Sequence, residues 1–476
     1  MAVFAQTGAW IASVARAAAI SVVAMLCVAR YSIGSLRRLL IRDRLRREQH
    51  RTHQRGVLLR WSFARLGATF IKVGQIMSSR PDLFSAGVIE ELRWLQDRVP
   101  PFPFAQVRAI VERELGMPLE HAYREFSPTS VAAGSVAQVH HAVLRNGDEV
   151  AVKVLRPNVL TRVRRDGRIL LWLAHLAQAI STRARTANVV EHTRALVAGI
   201  LAQTDLRREK TNYIRFRNLF AGTPGLAFPN VYPRWSTRWI LTMEFIHGTR
   251  IDEAPAPYRL AAARVIRSMF FAMCFDHGLV HADLHPGNVL VRTDGVVVII
   301  DVGLVKRLPR ELLRQVVDFT RCLVTGDTHD LVAHLRQYHR YLATTDWSAV
   351  ETDAAAFIRR IRAKPIIQLE LSAIIGDLFA LARRHRIRPM PEMTLVLLGM
   401  VTSEGMAKTL DPDIDVIVEL AKHLGPRLQP EQRLARGSRR WSRPPLELIN
   451  DRPPPVAEPV AEPTPPPSGR WPRARA

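Results

Sequence analysis

One segment constrains this chain more than any other. In His281-Ala-Asp283-Leu-His285-Pro-Gly287-Asn288 a carboxylate and an amide stand five residues apart, and thirteen residues after Asn288 comes Asp301-Val302-Gly303. Two short apolar runs, 289–292 and 296–300, flank Asp294-Gly295. That dipeptide supplies the backbone freedom a tight hairpin turn requires. The span therefore reads as loop, strand, turn, strand, loop, with the second loop delivered next to the first.

Residues of these types in this order serve phosphoryl transfer. That chemistry needs a carboxylate beside the attacking hydroxyl and two groups that hold a magnesium ion against the phosphates. Asp283 takes the first role, and Asn288 and Asp301 take the second, in the spacing of a kinase catalytic loop followed by a DxG motif. Either half alone arises readily by chance; the two together, in order and separated by a hairpin, are specific. His281 is expected to orient the loop through hydrogen bonds, and the role of His285 is left open. A metal site built from His281, Asp283 and His285 is the competing reading.

Upstream, 149–155 and 139–144 form a second predicted hairpin around Asn146-Gly147. Lys153 sits on its second strand, where a kinase-type lysine clamps the phosphates and pairs with a glutamate from a helix. Glu209, in Asp205-Leu-Arg-Arg-Glu209, is the candidate partner. A lone strand lysine is ordinarily a solvated surface group, so Lys153 gains its meaning from agreement with the downstream residues. Met243 and Glu244, at the end of a strand predicted near 239–243, are placed with the nucleotide-binding residues. The nucleotide loop is expected at Ala132, Ala133, Gly134 and Ser135. Alanine permits fewer backbone conformations than the glycines usual in such a loop, which argues against an ordinary protein kinase.

Residues 56–125 read as helical, with Leu58, Leu59, Trp61, Leu66, Phe70, Ile71, Val73, Ile76 and Met77 at helical intervals. Here Phe70-Ile-Lys72-Val-Gly74-Gln75 continues through Ser79-Arg80-Pro81-Asp82-Leu83 to Leu95-Gln96-Asp97-Arg98-Val99-Pro100-Pro101. Lys72 and Gln75 share one helix face, and Gly74 permits close backbone approach. With Ala132–Ser135, Lys153, Glu209, HADxHPGN and DxG, these residues make the chain resemble the UbiB/AarF (ADCK-type) atypical kinase-like family of ubiquinone-biosynthesis proteins over about residues 60–310. The resemblance implies a KxGQ helix, carrying Lys72 and Gln75, folded over the kinase lobe. It also implies metal-dependent binding of ATP or ADP, ATPase-like activity and a role in quinone or isoprenoid-lipid metabolism. Departures are visible. The family's ExD motif is Gln203-Thr204-Asp205, the third alanine of the loop is Gly134, Leu284 replaces a usual Pro and Val302 a usual Phe.

The predicted fold is α+β, an atypical protein-kinase-like bilobal fold with an N-terminal helical extension packed on it. Its expected parts are a hydrophobic helix and basic juxtamembrane segment at 1–55, the KxGQ extension at 56–125, a kinase-like N-lobe at 126–248, a helical C-lobe at 249–426, and a Pro-rich tail at 427–476. The formal charge of +25 admits nucleic acid, an anionic membrane or an arginine-rich proteome as its cause. Position decides. Residues 30–60 hold ten arginines against Asp43 and Glu48, directly after the apolar run 10–29, where a juxtamembrane basic segment belongs. No nucleic-acid motif accompanies them, so a membrane surface is expected and nucleic acid is not; the family resemblance implies a membrane lipid or isoprenoid-quinone intermediate and biosynthetic enzymes as partners. The expected location is the membrane, by an N-terminal anchor or peripherally, with the kinase-like part in the cytoplasm. Three scattered cysteines, Cys27, Cys274 and Cys322, indicate neither a disulfide framework nor a zinc site. Helix signals at 308–311, soon after Asp301, leave little chain for a peptide-binding platform and favour a small or lipid-like substrate.

Overall fold

The computed structural model describes residues 2–39, 43–78, 85–95, 100–181, 184–185, 188–281, 283–339, 341–363, 370–387, 391–411, 419–420 and 422–423. The readings of residues 79–83, 96–99 and the Pro-rich tail lie outside them. The chain opens with a helical hairpin of α1 (Ala2–Leu39) and α2 (Arg44–Leu66). Cys27 Sγ and Ser62 Oγ meet at 2.7 Å, and the Arg30 guanidinium lies 4.0 Å over the Trp61 ring. The next helices, α3 (Ala68–Ser78) and α4 (Ala86–Arg93), pack through Ile71, Val88, Leu92 and Leu95. Gly74 is required there: a Cβ would lie 2.5 Å from Leu95 Cδ1 and 2.8 Å from Phe63 Cδ2.

An antiparallel sheet follows, in the order β1 (Tyr123–Ala133), β2 (Ala137–Leu144), β3 (Glu149–Leu155) and β5 (Ile240–Glu244). The β2–β3 turn places Gly147 at φ 93°, as the Asn-Gly signal requires. Val150, Val152 and Val154 point to one side, into a cluster with Val107, Ile110 and Val111 of α5 (Phe104–Leu115). Ala151 and Leu155 point to the other, into the main core. Gln138, 1% exposed, accepts from the Phe102 N–H at 2.8 Å and so ties the segment entering α5 to the sheet.

β1 corrects the sequence reading, which placed helix up to residue 125 and a loop at Ala132–Ser135: the strand takes in Tyr123 to Ala133. Its alternation is hidden by irregularities between Tyr123 and Glu125, Phe126 and Ser130, and Ser130 and Ala132, each of which shifts the face that side chains occupy. β4 is the two-residue Leu226–Ala227, and Val231 makes an isolated bridge to Met243.

The short α6 (Leu119–Ala122) precedes β1, and between β3 and β5 run α7 (Val159–Ile180), α8 (Val189–Ala202) and α9 (Leu206–Leu219). Beyond β5, α10 (Ala256–Phe271) leads through a wide turn to β7 (Leu279–His281). The hairpin of β8 (Val289–Val291) and β9 (Val297–Ile299) lies between β6 (Thr249–Arg250) and β4 in a second sheet. β10 (Val305–Arg307) returns to pair with β7, and α11 (Arg310–Thr325), α12 (Thr328–Tyr338), α13 (Trp347–Arg362), α14 (Leu371–Arg384) and α15 (Pro391–Leu410) complete the helical lobe.

Within that lobe His334 of α12 packs against Phe319 and Tyr338, and its ring nitrogens find no hydrogen-bond partner among the described residues. Burial pushes His334 down to about 3 and the neighbouring His339 down to about 4. Both values lie below the roughly 6.5 of an unfolded histidine, so their contribution to stability is present above about pH 6.5 and lost as pH falls towards 4. Thermal melting should show the midpoint dropping between about pH 6.5 and 4.5, with a shallower drop in His334→Phe.

Candidate active site

Lys153 owes its position to strand register. It pairs with Val139 on one side and Leu241 on the other, and its side chain leaves the sheet on the face of Ala151 and Leu155. A slip of one residue would send it to the α5 side instead. On the inner face its ammonium lies 2.7 Å from Glu209 Oε1 and 3.0 Å from Asp301 Oδ2. Glu209 belongs to the buried stripe Leu206, Glu209, Tyr213 and Phe216 of α9, whose spacing of three and four residues is that of one helix face.

The β8–β9 hairpin turns at Asp294-Gly295, with Gly295 at φ 82° and the Val296 N–H donating to Asp294 Oδ1 at 3.1 Å. It returns Asp301 to the loop that carries Asp283 and Asn288. His281, 2% exposed, joins the two segments: Nδ1 accepts from the Asp283 N–H at 3.2 Å, and Nε2 lies 2.7 Å from the Asp301 carbonyl oxygen. The ring therefore carries its proton on Nε2 and donates it to that carbonyl. With both nitrogens so engaged His281 orients the loop, and the alternative metal site of His281, Asp283 and His285 does not form. The Asn288 amide donates to the Asp283 carbonyl at 2.9 Å, which directs its oxygen away from that bond. Gly303 donates its N–H to Asp301 Oδ1 at 2.8 Å, and a Cβ there would sit 3.3 Å from Glu209 Oε2.

The KxGQ residues diverge. Lys72 reaches Asp283, Nζ to Oδ2 at 2.7 Å, whereas Gln75 Nε2 donates to the Leu95 carbonyl at 3.0 Å and braces α3 against the end of α4. Ala132 and Ala133 end β1, and Gly134 and Ser135 make the turn. The Gly134 carbonyl accepts from Arg156 Nε at 2.9 Å, while Arg156 Nη2 donates to the Pro100 carbonyl at 2.6 Å. Met243 is part of the core, and the Glu244 carboxylate accepts from both the backbone and the side-chain amide of Asn230 at 3.0 Å. Asp205 caps α9 and pairs with Arg207, so the divergent Gln203-Thr204-Asp205 motif serves a helix start. Two contributors escaped the sequence reading: Arg156, and Asn212, which donates to the Val302 carbonyl at 2.8 Å. Asn212 stands three residues after Glu209 on the same face of α9, a periodicity that marks it in retrospect.

Electrostatics follow from one ammonium facing two acids. Burial favours the neutral form of Lys153, but the Asp301 and Glu209 carboxylates outweigh it and hold the ammonium charged. Burial opposes the charge of Asp301 too; Lys153 and the Gly303 N–H prevail and hold it well below the usual carboxylate range. At Glu209, the deeper of the two, burial wins and pushes the carboxyl up to about 7. For Asp283 burial is overcome by the Lys72 ammonium, which lowers it.

The donor set suits a magnesium ion: a charged carboxylate and an amide oxygen are the hard ligands it prefers. Among the described residues no group of three or more His, Cys, Asp and Glu is placed to hold a metal. Asp301 and Asn288 would therefore hold the ion jointly with phosphate oxygens, as in magnesium sites generally.

Residues 94–335 match the model of the ABC1 atypical kinase-like domain and residues 354–415 that of the UbiB helical domain. A protein of Pseudomonas aeruginosa strain LESB58 named "Probable protein kinase UbiB" is 32% identical over 440 residues, covering 87% of this chain and 80% of that protein. One of the same name from Azotobacter vinelandii is 33% identical over 383 residues, covering 76% and 69%. Among solved structures, the complex of Rv3197 with erythromycin from Mycobacterium tuberculosis superposes with a TM-score of 0.53 at 22% identity, covering 74% of this chain and 90% of that one. This last likeness is one of fold.

The Lys72–Asp283 contact sets a measurable expectation. Removing one partner of a largely buried ion pair strands the other charge. Because Asp283 keeps 23% of its side-chain exposure, the cost falls short of a fully buried pair. Lys72→Ala should lower the free energy of unfolding in urea by about 1–3 kcal/mol, and Lys72→Arg should restore most of it.

Proposed function

The chain belongs to the UbiB family of ABC1 atypical kinase-like proteins, and we propose from that premise that it binds magnesium-ATP and couples its turnover to isoprenoid-quinone or related lipid metabolism at a membrane. The observation that carries the reading is the convergence of Lys153, Glu209 and Asp301 within 3.0 Å of the ammonium, with Asp283 and Asn288 on the adjoining loop. Lys153 clamps phosphate oxygens, and Glu209 fixes the lysine's direction. Asp301 and Asn288 would hold a magnesium ion, whose charge would offset that of the phosphates. Asp283 positions the attacking hydroxyl or water and accepts its proton. The alanine-containing loop at Ala132–Ser135 covers the phosphates, with Met243 and Glu244 at the cleft end of β5.

The chain after Gly303 supports a small or lipid-like acceptor. β10 pairs with β7 through Val305 and His281, and α11 begins at Arg310. No length remains there for the extended platform on which a peptide lies. The Lys72–Asp283 pair favours a second reading, a nucleotide-binding scaffold in which chemistry is incidental, since that contact engages the base. ATP binding that persists without turnover under every lipid condition would select it.

Phosphate release from ATP, measured with lipid vesicles present, tests the leading reading. Asp301→Asn should lower the rate by about a hundredfold, the several-kcal/mol scale of charge stabilisation at a phosphoryl group. Equal rates for the two proteins would sink the proposal. The quinone profile of cells lacking the protein, complemented by wild type or Asp301→Ala, tests the metabolic part.

A further inference from the structure

Of the fourteen exposed large hydrophobic side chains among the described residues, nine lie on α1 and α7. On α7 they are Trp172, Leu173, Leu176 and Ile180, exposed by 63, 39, 43 and 78%. At 100° per residue these four fall within a stripe about 100° wide. The same helix buries Val163, Gly167 and Ala174 on another face. α7 is thus apolar on two sides, and one of them faces outward.

α1 is apolar around most of its circumference. Its stretch Ala18–Ser35 has a mean hydropathy of 1.6 and no buried share. Ile20, Val23, Cys27 and Tyr31, at helical intervals, are half-buried, while Met25, Val28 and Ile33 are exposed. The half-buried line lies along α2, where the Cys27–Ser62 and Arg30–Trp61 contacts are made. α2 carries Arg51, Arg55, Arg60 and Arg65 in the portion that accompanies α1. Were α1 to cross a bilayer with α2 beside it, each arginine near the bilayer centre would cost about 2.5–3.5 kcal/mol. With this hairpin intact, α1 fits in the plane of the headgroups, apolar side inward and α2 towards water.

Arg16 sets the relation between the two helices. Its Nε and Nη2 reach the two carboxylate oxygens of Asp166 at 2.9 Å, and the Asp166 side chain is 2% exposed. Asp166, Ile169, Leu173 and Ile180 follow one another by three, four and seven residues along one line of α7, so α1, seated at Asp166, borders the outward stripe. Charge identifies what covers it. α1 and α7 together hold eight arginines against one carboxylate, Asp166, which Arg16 already neutralises. Two copies of so basic a face would repel each other, whereas an anionic bilayer surface attracts it by about 1 kcal/mol per arginine.

We propose that α1 and the Trp172–Ile180 stripe of α7 form one membrane-docking face, which lies in the headgroup–acyl boundary of an anionic bilayer. The inference rests on the membrane part of the functional reading and is independent of the nucleotide chemistry. It is tested with the full chain on vesicles of phosphatidylcholine with and without phosphatidylglycerol, comparing wild type with a triple variant, Trp172→Ser, Leu176→Ser and Ile180→Ser. Wild type should float with the anionic vesicles and come off them in alkaline carbonate, and the variant should partition at least about tenfold less. Thermal melting and vesicle-free phosphate release should be unchanged, which separates this proposal from the catalytic one. Equal flotation of variant and wild type overturns it, as does resistance of wild type to carbonate. Loss in the variant of a wild-type dimer in vesicle-free solution, with flotation intact, assigns the face to a second copy and also overturns it.

Discussion

One ammonium holds three parts of the chain together. Lys153 comes from the N-lobe sheet, Glu209 from α9 and Asp301 from the end of the β8–β9 hairpin, and their atoms meet within 3.0 Å. A buried cation with two carboxylates is a demanding arrangement, since each charge must be stripped of water. It is met here by unequal sharing. Asp301 keeps its charge, aided by the Gly303 N–H, while Glu209, at the base, binds a proton far more readily than an ordinary carboxyl. Such an arrangement contributes little to net stability, but it specifies geometry: the β3 register, the α9 stripe and the Asp294-Gly295 turn must all be right for the three groups to meet.

That dependence explains what the sequence made legible. The Lys153, Glu209, Asp283, Asn288 and Asp301 set was readable because each residue is held by local rules (alternation in a strand, a helix face, a turn dipeptide), and the rules agree with one another. Gly74 was readable as a close-approach position for the same reason. β1 was not, because its bulges break the alternation that would reveal it. Nor was the direction of Lys72 and Gln75. Spacing of three residues on a helix places both on one face, yet it says nothing about which neighbours that face meets. Asp283 lies 211 residues from Lys72, and no local pattern carries a contact of that range.

Asp205 shows the same limit from the other side. In the sequence, Gln203-Thr204-Asp205 is a degraded acidic motif; in the structure its remaining carboxylate is the cap of α9 and the partner of Arg207. The helix it starts is the one that presents Glu209. The carboxylate that remains in the motif thus fixes the entry of the helix on which the lysine's brace depends, and a cap of this kind contributes about 1 kcal/mol to that helix.

Arg16 extends this reasoning to the surface. Its guanidinium bonds the Asp166 carboxylate on α7 and, at 2.5 Å, the carbonyl of Leu66, where α2 ends and α3 is about to begin. Six residues beyond Leu66 stands Lys72, in contact with Asp283. Two residues past Lys72, α3 is packed closely enough that Gly74 leaves no room for a Cβ. The face assigned to the bilayer and the loop assigned to the chemistry are therefore joined by one short stretch of chain, held by Arg16 at Leu66 and by Asp283 at Lys72 in the first half of α3. Contiguity of this sort does not amount to coupling, which requires an element with two arrangements that both ends bias. It does fix where such an element must lie: any displacement of α1 that reaches the catalytic loop along this route passes through α3 and is expressed in whether Lys72 stays on Asp283.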